Sequence, residues 1–234
     1  MVLAGVFVTL ATLLTSIDAA AFDKGFYRYQ YKRLGTAERI GISEEDLMRA
    51  TDVLLDYCAG KRDDLSLVVD RDGMRVQMFT DETEVAHMVD VQALFLLMLS
   101  VRNGLAIAAM LCLVLAFCLR IPLVDAMKKL MWGLGLGLLI PILCGVLAAA
   151  DFNWFWTQFH HVFFTNDLWL LNPATSVLIQ MVPEAFFAAI VTKILVWFAV
   201  VMMIWFGLAG LSLYVARRRA KRKERRKDAA VAGH

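Results

Sequence analysis

Nowhere does the chain carry H-E-x-x-H or G-x-S-x-G, so the usual signals of a zinc protease and of a serine hydrolase are both missing. Cysteine is scarce. Three of the four, Cys112, Cys118 and Cys144, lie inside apolar runs, which leaves Cys58 without a partner for a disulfide framework. Internal repeats are absent, and low complexity is confined to the tail. That tail, Arg217 to Lys227, holds nine of the 24 Lys and Arg, yet no aromatic residue is interleaved among them. Nucleic-acid binding therefore gains no support, and the tail reads as a topology determinant that touches anionic lipid.

What the chain has in excess is apolar surface. Hydrophobic residues make up 60% of 234, against roughly 45–50% in a soluble domain. Four runs are long enough to cross about 30 Å of hydrocarbon: residues 2–21, 94–119, 130–150 and 190–216. The second is interrupted by Arg102-Asn103-Gly104. As one straight helix it would also exceed the hydrocarbon thickness, so a break or strong tilt is expected near 102–104. The first run is followed by Ala19-Ala20-Ala21 but lacks the positive flank of a cleaved signal peptide, and reads as a retained span.

The positive-inside rule puts the basic tail (217–234) in the cytoplasm. Counting back, Arg120, Lys128 and Lys129 are also inside, while residues 22–93 and 151–189 face outward, with both termini cytoplasmic. The expected fold is an α-helical integral membrane protein with four transmembrane helices. A small α+β extracellular domain lies between spans 1 and 2, and an interfacial helix and loop between spans 3 and 4. The chain is expected to be a multi-pass membrane protein with its site on the extracellular side.

Within 22–93, Phe26 to Tyr31 reads as an aromatic belt at headgroup level. Ser43 is the expected cap of an amphipathic helix that places Leu47, Thr51, Leu54, Leu55 and Cys58 on one face and closes at Gly60. A hairpin over 65–79 turns at Asp72-Gly73. Thr80 is then the expected cap of a helix on which His87 and Asp90 share a face.

Three of the four histidines lie in two short segments, Phe79 to Val91 and Phe159 to Pro173; the fourth is His234. An imidazole titrates near pH 7, so it can take and return a proton. On a helix His160 falls between Trp156 and Phe164 at i±4, facing an aromatic, lipid-side stripe. His161 falls between Thr157 and Thr165, the more polar side. Each histidine has a plain reading, His160 as an interfacial anchor and His87 as a solvated partner of Asp90. Read together on one outer face, they point instead to a site, with Asp90 able to orient His87.

Four stretches carry a resemblance. They are G-I-S-E-E-D-L (Gly41 to Leu47), F-T-D-E-T-E-V-A-H-M-V-D-V, F-H-H-V-F-F-T-N-D-L-W, and L-I-Q-M-V-P-E-A-F-F (Leu178 to Phe187). Together they resemble the bacterial lipoprotein intramolecular transacylases. The chain departs from that pattern at Asn172 and Ser176, where aspartates are expected.

The resemblance implies a membrane acyltransferase acting on diacylglyceryl-modified lipoproteins. It would move the sn-2 acyl chain to the α-amine of the N-terminal cysteine, giving a lyso-form lipoprotein. It implies a bacterial cell membrane and His160, His87 and Asp90 as catalytic, with Trp156, Phe164, Asn166, Asp167, Trp169 and Glu184 contacting substrate. Lys193, outside the matched stretches, reads by default as snorkelling to the headgroups and as a second choice contacts an anionic headgroup of the substrate. Neither a metal nor a cofactor is expected. Expected partners are diacylglyceryl lipoproteins and membrane lipid, without nucleic acid; the oligomeric state is open. The competing reading is a non-enzymatic lipid- or metal-binding sensor using His87, Asp90, His160 and Glu184 as an imidazole–carboxylate set.

Overall fold

A computed structural model describes residues 1–232; His234 and the end of the basic tail lie outside the described residues. Ten helices and one hairpin form among the described residues. They are α1 (Val2–Ala21), α2 (Lys24–Leu34), α3 (Thr36–Ile40), α4 (Glu44–Cys58), β1 (Val68–Arg71), β2 (Met74–Gln77), α5 (Glu82–Cys118), α6 (Leu123–Gly137), α7 (Leu139–Ala150), α8 (Phe152–Phe163), α9 (Val177–Met181) and α10 (Glu184–Ala232). Four stretches are long and apolar enough to cross a bilayer: Val2–Ala21, Glu82–Cys118, Leu123–Ala150 and Glu184–Arg222.

Of the break or strong tilt expected near Arg102-Asn103-Gly104, the break is not there; α5 runs unbroken through it for 37 residues, about 55 Å at 1.5 Å per residue. One glycine inside a helix costs only about 1 kcal/mol. Freeing backbone N–H and C=O groups where no water can reach them costs several kcal/mol each, so the ladder stays intact. The interruption falls instead in the third span, at Leu138 between α6 and α7. Pro141 has no N–H to give to the carbonyl of Gly137, and Leu138 turns back to Gly135 O at 3.1 Å.

The chain divides into two units. One comprises Met1–Thr15, Val101–Leu143 and the residues from Leu195 onward. Here α1 and α6 meet backbone to backbone. A Cβ added at Gly5 would lie 2.4 Å from Leu130 O, and one at Gly133 would lie 2.0 Å from Val2 O. Thr9 Oγ1 donates across this contact to Leu134 O at 3.2 Å, and Leu134 packs with Phe198 and Met202. Glycine is needed here for closeness, not for backbone freedom. Gly133→Ala is therefore expected to lower the melting temperature of the detergent-purified protein. Gly135→Ala, where a Cβ meets nothing within 4 Å, should raise it slightly through helix propensity. Equal shifts of one sign at both positions would refute the close packing.

The other unit comprises Ser16–Ser100 and Cys144–Ile194. Ser43 caps α4 by accepting from Asp46 N at 3.0 Å, and Leu47, Thr51, Leu54, Leu55 and Cys58 are all buried on one face. In the hairpin, Asp72 (φ 52°) and Gly73 (φ 81°) form the two-residue turn, and Arg71 pairs with Met74. Two expectations shift. Asp81, not Thr80, caps α5, its Oδ1 accepting from Thr83 N and Glu84 N at 2.8 and 3.2 Å. The rings of Phe26, Tyr27 and Tyr31 do not form a surface belt: they pack on Phe186 at 5.6, 4.9 and 6.1 Å, and the Tyr31 and Thr51 hydroxyls are hydrogen-bonded to each other at 2.8 Å. Only Tyr29 of the four rings is exposed.

Cys58 lies in the same core, and burial pushes its thiol up to about 12, so no thiolate nucleophile forms near neutral pH. Cys58→Ala is expected to cost on the order of 1 kcal/mol of packing and to leave turnover intact. A folded but inactive variant would reveal a missed nucleophile.

Candidate active site

The N-terminal turns of α5 carry three residues in register: Glu84, His87 and Asp90, each one turn from the last. Glu84 is only 1% exposed. Its Oε1 accepts from Ser176 Oγ and from Leu178 N at 2.9 Å, which pins the start of α9 to α5. Ser176 also caps α9 by accepting from Ile179 N at 3.1 Å. At position 176 a hydroxyl thus serves as donor to a buried carboxyl group and as acceptor for the start of α9. Asn172 Oδ1 accepts from Ala174 N at 3.0 Å, a role an aspartate fills equally well.

His160 arrives from α8, a helix capped by Asp151. It is 8% exposed, whereas His161 is exposed, so the helical phase read from the sequence holds. The Nδ1 of His160 lies 2.7 Å from Trp156 O. A carbonyl only accepts, so Nδ1 carries the proton and Nε2 keeps the lone pair. Burial holds the pKa of His160 below the ordinary 6.5, against the opposing pull of the Trp156 carbonyl; the charge of His161 lowers it further. The imidazole is neutral and basic at pH 7.

The two active-site candidates face each other with ring centroids 6.1 Å apart. Phe164 touches both, at 5.2 Å from His87 and 5.6 Å from His160. Trp169 stacks on His160 at 4.7 Å and 27°, while Trp156 meets it edge-on at 5.0 Å. Trp156 itself stacks with Phe159 and Phe187 at 5.0 and 4.4 Å. The result is a pair of imidazoles in an aromatic wall.

Not every expected residue joins them. Asp90 makes no hydrogen bond to His87. The Nδ1 of His87 is buried without a hydrogen-bond partner, and Asp90 Oδ2 accepts instead from Asn166 Nδ2 at 2.9 Å. Glu184 accepts from Asn153 Nδ2 at 2.8 Å, at the far end of α8. Lys193 pairs with Asp23 and lies 4.6 Å over the Phe26 ring, and that ion pair holds the Asp23 carboxyl below its usual range. Asp167 is exposed, and its backbone carbonyl accepts from Leu170 N at 3.0 Å. Among the described residues, no three His, Cys, Asp or Glu side chains converge as a metal-binding group, so the ligand set of the sensor reading is not assembled. Glu84 and Ser176 were not expected at the site. The only sequence signal for Glu84 is its E-x-x-H spacing, which equally suits a di-iron ligand.

The family model described as lipoprotein intramolecular transacylase Lit matches residues 2–187. No curated protein matches. Among solved structures, the in meso structure of the membrane-integral Lit from Bacillus cereus superposes with a TM-score of 0.71 at 19% identity, over 95% of this chain and 94% of that one. Two structures of that Lit with one histidine changed, to arginine and to alanine, superpose with TM-scores of 0.68. Both are 19% identical and cover 95% of this chain and 91% and 92% of theirs. The structural likeness establishes a shared fold, that of a multi-pass membrane protein. The family match spans most of the chain, and with it this protein belongs to the lipoprotein intramolecular transacylases, a family of membrane acyltransferases.

Proposed function

We propose that the chain moves the sn-2 acyl chain of a diacylglyceryl-modified lipoprotein to the α-amine of its own N-terminal cysteine. The observation that carries this reading is the His87–His160 pair, with Nε2 of His160 left basic by the Trp156 carbonyl. An α-amine titrates at about 7.7–8.0, so a nearby neutral imidazole deprotonates it at modest cost. His160 takes that proton as nitrogen attacks the ester carbonyl. His87 supports the tetrahedral oxyanion while His160 returns the proton to the departing glycerol oxygen, or His87 hands over its own proton and is reprotonated by the His160 imidazolium. The new bond is N–C(acyl), the broken one is C(acyl)–O(sn-2), and the amine's proton ends on the sn-2 hydroxyl, so the total mass is unchanged.

Ester and amine belong to one molecule, so proximity supplies much of the rate and no acyl-enzyme is needed. This suits a chain in which Cys58, the cysteine outside the spans, is buried in a core with its pKa raised. Exposed apolar side chains along the long helices, such as Leu111 and Met203, suit solvation by membrane lipid. The basic stretch at 217–227 favours cytoplasmic termini and an outward-facing site. In a bacterium that makes diacyl lipoproteins, expression should convert them to an N-acylated, S-monoacylglyceryl form. Fragment ions that keep both acyl chains on glycerol would defeat the reading.

A further inference from the structure

The amide of Asn166 is held at both ends. Its Oδ1 accepts from Leu168 N at 3.1 Å, closing a tight turn, and its Nδ2 donates to Asp90 Oδ2 at 2.9 Å. The chain leaves that turn directly into Trp169, whose indole lies on the face of His160. Trp169 Nε1 is buried and makes no hydrogen bond, so the ring is placed by stacking and by the turn, not by a polar anchor of its own. His160 is tied in its plane by the Trp156 carbonyl at Nδ1 and met edge-on by the Trp156 ring, and the Trp169 indole is the flat partner stacked on its face.

We propose that Asp90 and Asn166 form a latch that positions Trp169 against His160 and so aims Nε2 at the reacting amine. Both are then positioning residues of the transacylation, and the inference rests on the reaction proposed above. It differs from the role the sequence suggests for Asp90, which is to orient His87: the carboxylate reaches His87 only through its charge, while its hydrogen bond goes to Asn166. The two roles separate because a latch needs one donor facing one acceptor, whichever side carries the charge.

The test uses the purified full-length protein, a synthetic diacylglyceryl lipopeptide, and the variants Asn166→Asp, Asp90→Asn and their combination. Asn166→Asp sets two carboxylates against each other without a donor. It should lower kcat by about 10²-fold, the size of a small misplacement at the reacting atoms, and leave KM nearly unchanged. Asp90→Asn keeps an acceptor oxygen and should lose less than about 5-fold, as judged from a single neutral hydrogen bond retained in place of a charged one. The combined variant restores donor and acceptor with the charge moved to position 166, and should recover to the level of Asp90→Asn.

Near-ultraviolet circular dichroism reads the Trp169–His160 stack without turnover, with Trp169→Ala marking its contribution. That signal should vanish in Asn166→Asp and return in the combined variant. A combined variant that stays as low as Asn166→Asp in both rate and dichroism overturns the latch. So does Asp90→Asn falling as far as Asn166→Asp, which returns Asp90 to a charge role at His87. Wild-type protein that leaves the lipopeptide unchanged while the dichroism pattern holds would overturn the reaction and leave the latch standing.

Discussion

Removing the imidazole of His160 is expected to abolish acyl transfer while the protein still inserts and folds, whereas His161→Ala should keep most of its activity. The two differ in position, not chemistry. His160 is buried among Trp156, Phe164 and Trp169 with its Nε2 lone pair free, while His161 is exposed and meets only the edge of Trp169 at 5.2 Å. Loss of a general base costs at least about 10²–10⁴-fold. The pH profile carries the same assignment. Burial lowers the His160 pKa, and only the neutral ring accepts a proton. The rate is therefore retained at pH 6.5 and lost as pH falls through a His160 pKa that lies below 6.5. Conversion of a diacylglyceryl lipopeptide by each purified variant, from pH 5 to 8, measures both. An inactive His161→Ala beside an active His160→Ala would show that the wrong histidine has been chosen.

The second large effect is expected at Glu84, on stability as well as rate. Glu84→Ala leaves Ser176 Oγ and Leu178 N without their acceptor in a buried setting, at about 1–3 kcal/mol each, and opens a cavity besides. The variant should melt well below the wild type and lose activity, because α9 is no longer pinned one turn from His87. Glu84→Gln keeps an acceptor oxygen for Ser176 and Leu178 and should recover most of the stability. Thermal unfolding in detergent decides it. If Glu84→Ala melts with the wild type, the carboxyl group is not the anchor it is described as.

Much of the outer unit was legible because its signals are local. The Ser43 cap, the face from Leu47 to Cys58 and the Asp72-Gly73 turn depend on neighbours within a few residues, and they fold as read. The phase of His160 was legible for the same reason, since i±4 neighbours settle which side of a short helix is buried. The aromatic segment at 26–31 was misread because a membrane belt and a core have the same composition. What separates them is Phe186, far along the chain, on which the rings pack. The break expected at 102–104 failed for an energetic reason: polar side chains and one glycine weigh less than an unbroken hydrogen-bond ladder in apolar surroundings.

Composition and periodicity alone determined four apolar helices, a basic tail and two histidine-bearing segments, and the motifs in those segments carried the resemblance to the family. These rest on runs, spacings and local patterns that need no partner. Only the tertiary structure decided which side chains work together. It set His87 against His160 across 73 residues of chain, gave Asp90 to Asn166 in place of His87, turned Lys193 to Asp23, and buried Glu84 under Ser176. Each is a choice among several chemically suitable partners. A hydrogen bond or ring contact reaches only a few ångströms, so the choice belongs to the packing of elements far apart in sequence, and local pattern carries no record of it.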